Sequence, residues 1–159
     1  MIFPDRDAFA AHADSLRAQG KRRVVFTNGV FDILHVGHVR YLQAALAHGD
    51  ALLVGVNADD SVRRLKGPTR PINEQNERAE VVAALGCVDG VCVFDEDTPH
   101  ALIRAVRPAV HVKGGDYASP DALPETPLVR SLGGEVVIVS LVPGRSTSRL
   151  IQQLSEVEE

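Results

Sequence analysis

A chain of 159 residues, 45% hydrophobic and 24% charged, is long enough for one domain with its own core and has an ordinary globular composition. Its formal net charge of −4 excludes a general binder of nucleic acid or of anionic membrane surfaces, because both would repel it. Eighteen consecutive apolar residues occur nowhere and the first residues form no apolar leader, so the expectation is a cytoplasmic protein with no membrane partner.

The first expected element is a helix over 5–19. It starts after Pro4 with Asp5 and Asp7 in its first turn and stops at Gly20 beside Lys21, charges that suit the helix dipole. Five short, β-branched, nearly continuous apolar runs follow: RVVFT (23–27), ALLVGV (51–56), VDGVCVF (88–94), AVHVK (109–113) and EVVIVS (135–140). Such runs read as strands buried on both faces of a parallel sheet. Amphipathic segments at 36–48, 74–85 and 98–106 alternate with them, the first two ending at Gly49 and Gly86, which read as C′ glycines. The stretch 114–130, GGDYASPDALPETPLVR, reads as a loop with room for a short helix. A last helix begins near Ser146 with Leu150, Ile151 and Leu154 on one face.

The alternation predicts an α/β fold: a Rossmann-like doubly wound sheet of about five parallel strands with helices on both faces. The whole of 1–159 forms one domain, with its core over about 20–155. Cys87 and Cys92 form no CxxC and read as two buried free thiols.

In such sheets ligands bind beyond the carboxyl ends of the strands, near the switch in strand order. The run RVVFT ends at Thr27, which puts NGVFDILHVGH at that place. It is not a GxGxxG dinucleotide fingerprint. His35 and His38 lie three apart and so share a helix face. Zinc ligands, core residues and phosphate donors are the three roles open to them. Zinc would need more ligands, and only Asp32 is near in sequence. A helix N-terminus with Gly37 between the imidazoles favours phosphate, because free N–H groups and the positive dipole end lie there.

The string GVFDILHVGH resembles the GxFDxxHxGH signature of the cytidylyltransferase-like nucleotidyltransferase superfamily. Within it, TNGVFDILHVGHVRYLQAA is similar to the adenylyltransferase family that makes ADP-heptose. VGVNADDSVRRLKGPTRPINEQNERAEVVAAL, FDEDTPHALIRAVRP, VKGGDY and GRSTSRLI extend the likeness collinearly over about 20–152.

The resemblance implies transfer of AMP from ATP to D-glycero-β-D-manno-heptose 1-phosphate, with Mg²⁺ accompanying ATP and pyrophosphate leaving. It implies catalytic roles for His35, His38 and Lys66. Thr27, Asn28, Gly29, Phe31 and Gly37 fall to the nucleotide, as do Arg78, Lys113, Gly115, Asp116, Ser146 and Thr147. The acceptor falls to Asp32, Asp59, Arg70 and Tyr117. Several of these have plainer readings. Asp59 is also a good helix N-cap, TNG a good turn, and Arg63 and Arg64 a solvated face.

Three departures from the family pattern stand out: Val30 in place of the usual cysteine, Arg145 and Ser148 within GRSTS, and the whole of 117–130. The family is also expected to form homodimers and to rely here on a separate sugar kinase. Two alternatives stay open: CTP with glycerol 3-phosphate or ATP with FMN, and a nucleotide-binding module without turnover.

Overall fold

The computed structural model describes residues 1–144 and 146–157. Six parallel strands form one sheet in the order β1-β4-β3-β2-β5-β6. They are β1 (Ile2–Phe3), β2 (Val24–Gly29), β3 (Ala51–Asn57), β4 (Gly90–Phe94), β5 (Val110–Gly114) and β6 (Glu135–Val139). The five long strands are those expected from sequence. The sixth, β1, has only two residues, too few to show a periodic pattern.

The seven helices are α1 (Arg6–Ala18), α2 (Val36–Leu46), α3 (Asp59–Lys66), α4 (Gln75–Ala83), α5 (His100–Val106), α6 (Thr126–Ser131) and α7 (Thr147–Val157). Asp5 caps α1, its carboxylate accepting from the Ala8 amide at 2.8 Å. The 114–130 stretch holds more structure than expected, a 3₁₀ turn at Pro120–Ala122 followed by α6. Gly49 is not a left-handed cap. A Cβ there would lie 2.3 Å from the Arg23 carbonyl, so the glycine lets β2 and the end of α2 approach.

Side chains alternate along each strand and feed two cores. Val24 and Phe26 of β2 join Phe9, Leu16, Leu102, Ile103 and Val129 under α1, α5 and α6. Val25 and the β3 residues Leu52, Val54 and Val56 join Leu42, Ala45, Ala79 and Val82 under α2 and α4. Both faces of the sheet are thus covered, as a parallel sheet requires. Cys87 and Cys92 are free thiols, and burial pushes Cys92 up to about 11, which makes it an inert core residue. No helix among the described residues is long and apolar enough to cross a membrane.

The strand order turns at β2, which pairs with β3 on one side and β5 on the other. That switch places the carboxyl ends of β2 and β5 side by side.

Candidate active site

A cleft of about 450 Å³ opens over this switch point. Its floor is Asn28 and Gly29 from the end of β2 and Lys113 and Gly114 from the end of β5. One wall is the loop carrying Phe31 and Asp32 with the first turn of α2, namely His35, Gly37 and His38. Lys66 and Arg70 come from the end of α3 and the turn after it, while Tyr117, Ser146 and Thr147 close the far side.

The two histidines form a reciprocal cap on α2. His35 is the N-cap, and its Nδ1 accepts from the Gly37 amide at 3.1 Å. The Nδ1 of His38 accepts in turn from the His35 amide at 3.3 Å. Each ring therefore uses Nδ1 as acceptor, which leaves the proton on Nε2. The rings lie 4.0 Å apart, and the Phe31 ring stands edge-on to His38 at 5.6 Å. Phe31 itself is buried with φ of 50°, a conformation that bulky residues rarely adopt. Burial, helped by the neighbouring His35, lowers the His38 imidazole to about 4, so at neutral pH it is an uncharged N–H donor. Among the described residues no three His, Cys, Asp or Glu side chains group as they would around a metal ion.

Asp32 is 3% exposed and faces the protein more than the cleft. Its carboxylate accepts from Arg70 Nε at 2.7 Å and from the amides of Ile72 and Asn73 at 2.9 Å. Burial alone would raise this carboxyl, but the two amides and Arg70 outweigh it and hold Asp32 below its usual value. Arg78 is turned inward as well and is only 1% exposed. It donates to the carbonyls of Val30 at 2.6 Å and Asn73 at 2.9 Å, and to Asp59 Oδ1 at 2.8 Å. Asp59 is thereby held as well. It is the first residue of α3, while the N-cap is Ala58, which corrects the N-cap reading.

Arg78, Asp59, Thr27, Gly115 and Asp116 do not line the cleft. Thr27 lies beneath it against Tyr41, which does line it, their hydroxyls 2.6 Å apart and both within 3.1 Å of the Val112 carbonyl. Burial pushes the Tyr41 phenol up to about 12, so it stays protonated. Of the basic run, Arg63 pairs with Asp60 and Arg64 with Asp95 and Asp97, which leaves Lys66 and Arg70 at the cleft. At the far wall, Thr147 Oγ1 donates to the Ile33 carbonyl at 3.2 Å and Ser146 Oγ accepts from the Arg149 amide at 3.2 Å. Arg145 lies outside the described residues.

Sequence reasoning missed Tyr41, Asn57, Gly114, Leu141 and Val142 as cleft residues. Gly114 had a signal in the paired glycines of VKGGDY. A Cβ there would meet the Leu141 side chain at 2.6 Å and the Tyr41 ring at 3.0 Å, so the glycine lets these walls approach.

The cytidylyltransferase-like family model matches residues 26–154, which takes in every cleft element. The bifunctional protein HldE of Geobacter sulfurreducens is 55% identical over 148 residues, 93% of this chain and 30% of that protein. HldE of Methylobacillus flagellatus is 51% identical over 149 residues, 94% of this chain and 30% of that protein. The chain thus spans under a third of the length of these curated relatives. The crystal structure of the lipopolysaccharide core biosynthesis protein from Thermoplasma volcanium superposes with a TM-score of 0.61 at 33% identity, covering 75% of this chain and 95% of that one. Pantoate-beta-alanine ligase from Francisella tularensis shares the fold alone, with a TM-score of 0.58 at 14% identity over 93% of this chain and 69% of that one. With its HxGH turn seated at the switch point of a parallel sheet and the family model spanning the cleft, the chain belongs to the cytidylyltransferase-like family of nucleotidyltransferases.

Proposed function

We propose that the chain transfers AMP from Mg·ATP to D-glycero-β-D-manno-heptose 1-phosphate, releasing pyrophosphate and ADP-heptose. The observation that carries this reading is the pair of imidazoles at the N-terminus of α2, each with Nδ1 engaged by a backbone amide, with the Nε2 of His38 a donor beside the cleft. A neutral donor at a helix start suits a triphosphate whose charge redistributes during the reaction.

An oxygen of the acceptor phosphate bonds to the α-phosphorus as the bond to the α,β-bridging oxygen breaks, and pyrophosphate carries away the electron pair. The nucleophile is already an anion at neutral pH, so no general base is needed and rate comes from positioning and charge stabilisation. Lys66 is exposed at the end of α3 and has no acid partner among the described residues, so it is placed to meet the leaving phosphates. Arg70, held by Asp32, and Tyr117 on the far side would face the acceptor. The carboxylates of Asp32 and Asp59 are engaged by arginines and amides, so Mg²⁺ would be brought by ATP rather than held by them.

The heptose assignment rests on the collinear motif string and on kinship with HldE proteins at 51–55% identity. The Thermoplasma protein's description as a lipopolysaccharide core biosynthesis protein suits an activated sugar as product. A sugar kinase reaction must then supply the acceptor, and the reaction belongs in the cytoplasm, where ATP is made. We take the active form to be a homodimer.

Pyrophosphate release tests the reading, with ATP and CTP each paired with heptose 1-phosphate, glycerol 3-phosphate and FMN in the presence of Mg²⁺. Release with ATP and the heptose phosphate alone is expected. Release with another pair would keep the chemistry and replace the substrates, while no release with any pair, alongside tight nucleotide binding, would make the chain a silent module.

A further inference from the structure

Lys113 and Glu125 form the one ion pair among the described residues that links the cleft floor to the 117–130 segment. Lys113 Nζ lies 3.3 Å from Glu125 Oε1 and 3.4 Å from Asn28 Oδ1. Both contacts are longer than a fully formed charge-assisted hydrogen bond, and an ammonium carries three donors. Asn28 accepts from one, Glu125 faces a second as an ion pair, and among the described residues nothing accepts from the third.

The acid is the more buried partner, its side chain 6% exposed against 19% for Lys113. Its other oxygen, Oε2, is buried without a hydrogen-bond partner. A carboxylate in such a place is costly unless a cation is held against it. Its backbone is anchored, because the Glu125 carbonyl accepts from the Val129 amide at 3.0 Å and Val129 is fully buried in the core. Thr126, next in sequence, donates its hydroxyl to the Pro120 carbonyl. The acid is therefore a fixed point, and the lysine is the movable end.

We propose that Glu125 is a positioning residue: it holds the Lys113 ammonium beside Asn28 on the cleft floor, with its third N–H presented to a phosphate oxygen of the bound nucleotide. This rests on the nucleotide reading above. Without the acid, the ammonium leaves the floor for solvent and the nucleotide loses that contact. The 117–130 segment, which departs from the common family pattern, thus acts on the site through a residue that does not line it.

The test is Mg·ATP binding by calorimetry on the full chain, for Glu125→Gln, Lys113→Met and the double variant. Glu125→Gln keeps the shape and removes the charge. It is expected to weaken binding about tenfold, the scale of one hydrogen bond to a charged group, with the loss falling on KM for ATP rather than on kcat. Lys113→Met weakens binding at least as much, and the double variant binds no more weakly than Lys113→Met alone. Glu125→Asp, which retains the charge one methylene further back, recovers part of the affinity and serves if the glutamine variant does not fold. Wild-type affinity in Glu125→Gln would overturn the proposal. So would losses that multiply in the double variant, since Glu125 would then act through packing. A wild-type chain that binds neither Mg·ATP nor Mg·CTP would overturn the nucleotide reading itself, and this inference with it.

Discussion

Two polar regions flank the cleft, and their charges and donors are used in opposite ways. At the start of α2, His35 and His38 satisfy the backbone with Nδ1, and His38 keeps its Nε2 beside the cleft. Across the turn after α3, Asp32, Arg70, Asp59 and Arg78 bind one another and the chain between Val30 and Asn73. The first region is built to meet a ligand. The second, apart from the cleft-facing Arg70, is a brace that fixes the loop on which Asp32 and Phe31 sit. Polar residues of one motif string can thus be functional groups or internal fasteners, and only their partners distinguish the two.

The largest expected effect separates the regions directly. His38→Ala removes a transition-state donor and lowers the rate of pyrophosphate release about 10²–10³-fold, while stability falls by only about 1 kcal/mol, the scale of a lost helix cap. Arg78→Met should do the reverse. It leaves the Asp59 carboxylate and two carbonyls unpaired and costs about 3 kcal/mol in urea unfolding. A loss of rate with unchanged stability in Arg78→Met would move that residue from the brace to the ligand side.

A pH titration sharpens the contrast further. His111 is fully buried on β5 against Phe26, and burial, with Lys113 adding to it, lowers its imidazole to about 4 from the ordinary 6.5. Above pH 6.5 it is neutral folded and unfolded, so its contribution is complete. As pH falls from 6.5 toward 4 only the unfolded state gains the proton, and the fold loses up to roughly 3 kcal/mol. His38 adds a smaller loss of the same sign, because it is less buried. Unfolding curves at pH 7 and 5 read the slope, and His111→Phe should flatten it. The smallest effect belongs to Arg63→Ala, an exposed pair with Asp60, which should change stability by under about 0.5 kcal/mol and leave the rate untouched.

These differences mark where the sequence was legible. The five long strands stood out because short, β-branched, mostly apolar runs mark strands buried on both faces. Helix α3 did not, since DDSVRRLK buries only Ser61 and Val62 and shows no apolar stripe. The HxGH turn was readable from its place after a strand, whereas Tyr41 looks like any apolar face of α2 until its hydroxyl is found on Thr27. Arg78 could not be placed at all by pattern. The carbonyls that claim it belong to Val30 and Asn73, far apart in sequence and joined only by the fold. Glu125 was hidden for the same reason, in a segment read as loop.

The most direct test of the central claim is the ¹⁵N imidazole spectrum of the wild-type chain at pH 7, recorded with and without Mg·ATP. The account predicts a neutral ring for His38 with the proton on Nε2, and a shift of its Nε2 resonance when the nucleotide is added. An Nε2 resonance that ignores Mg·ATP, or an imidazolium signal from His38, would contradict it.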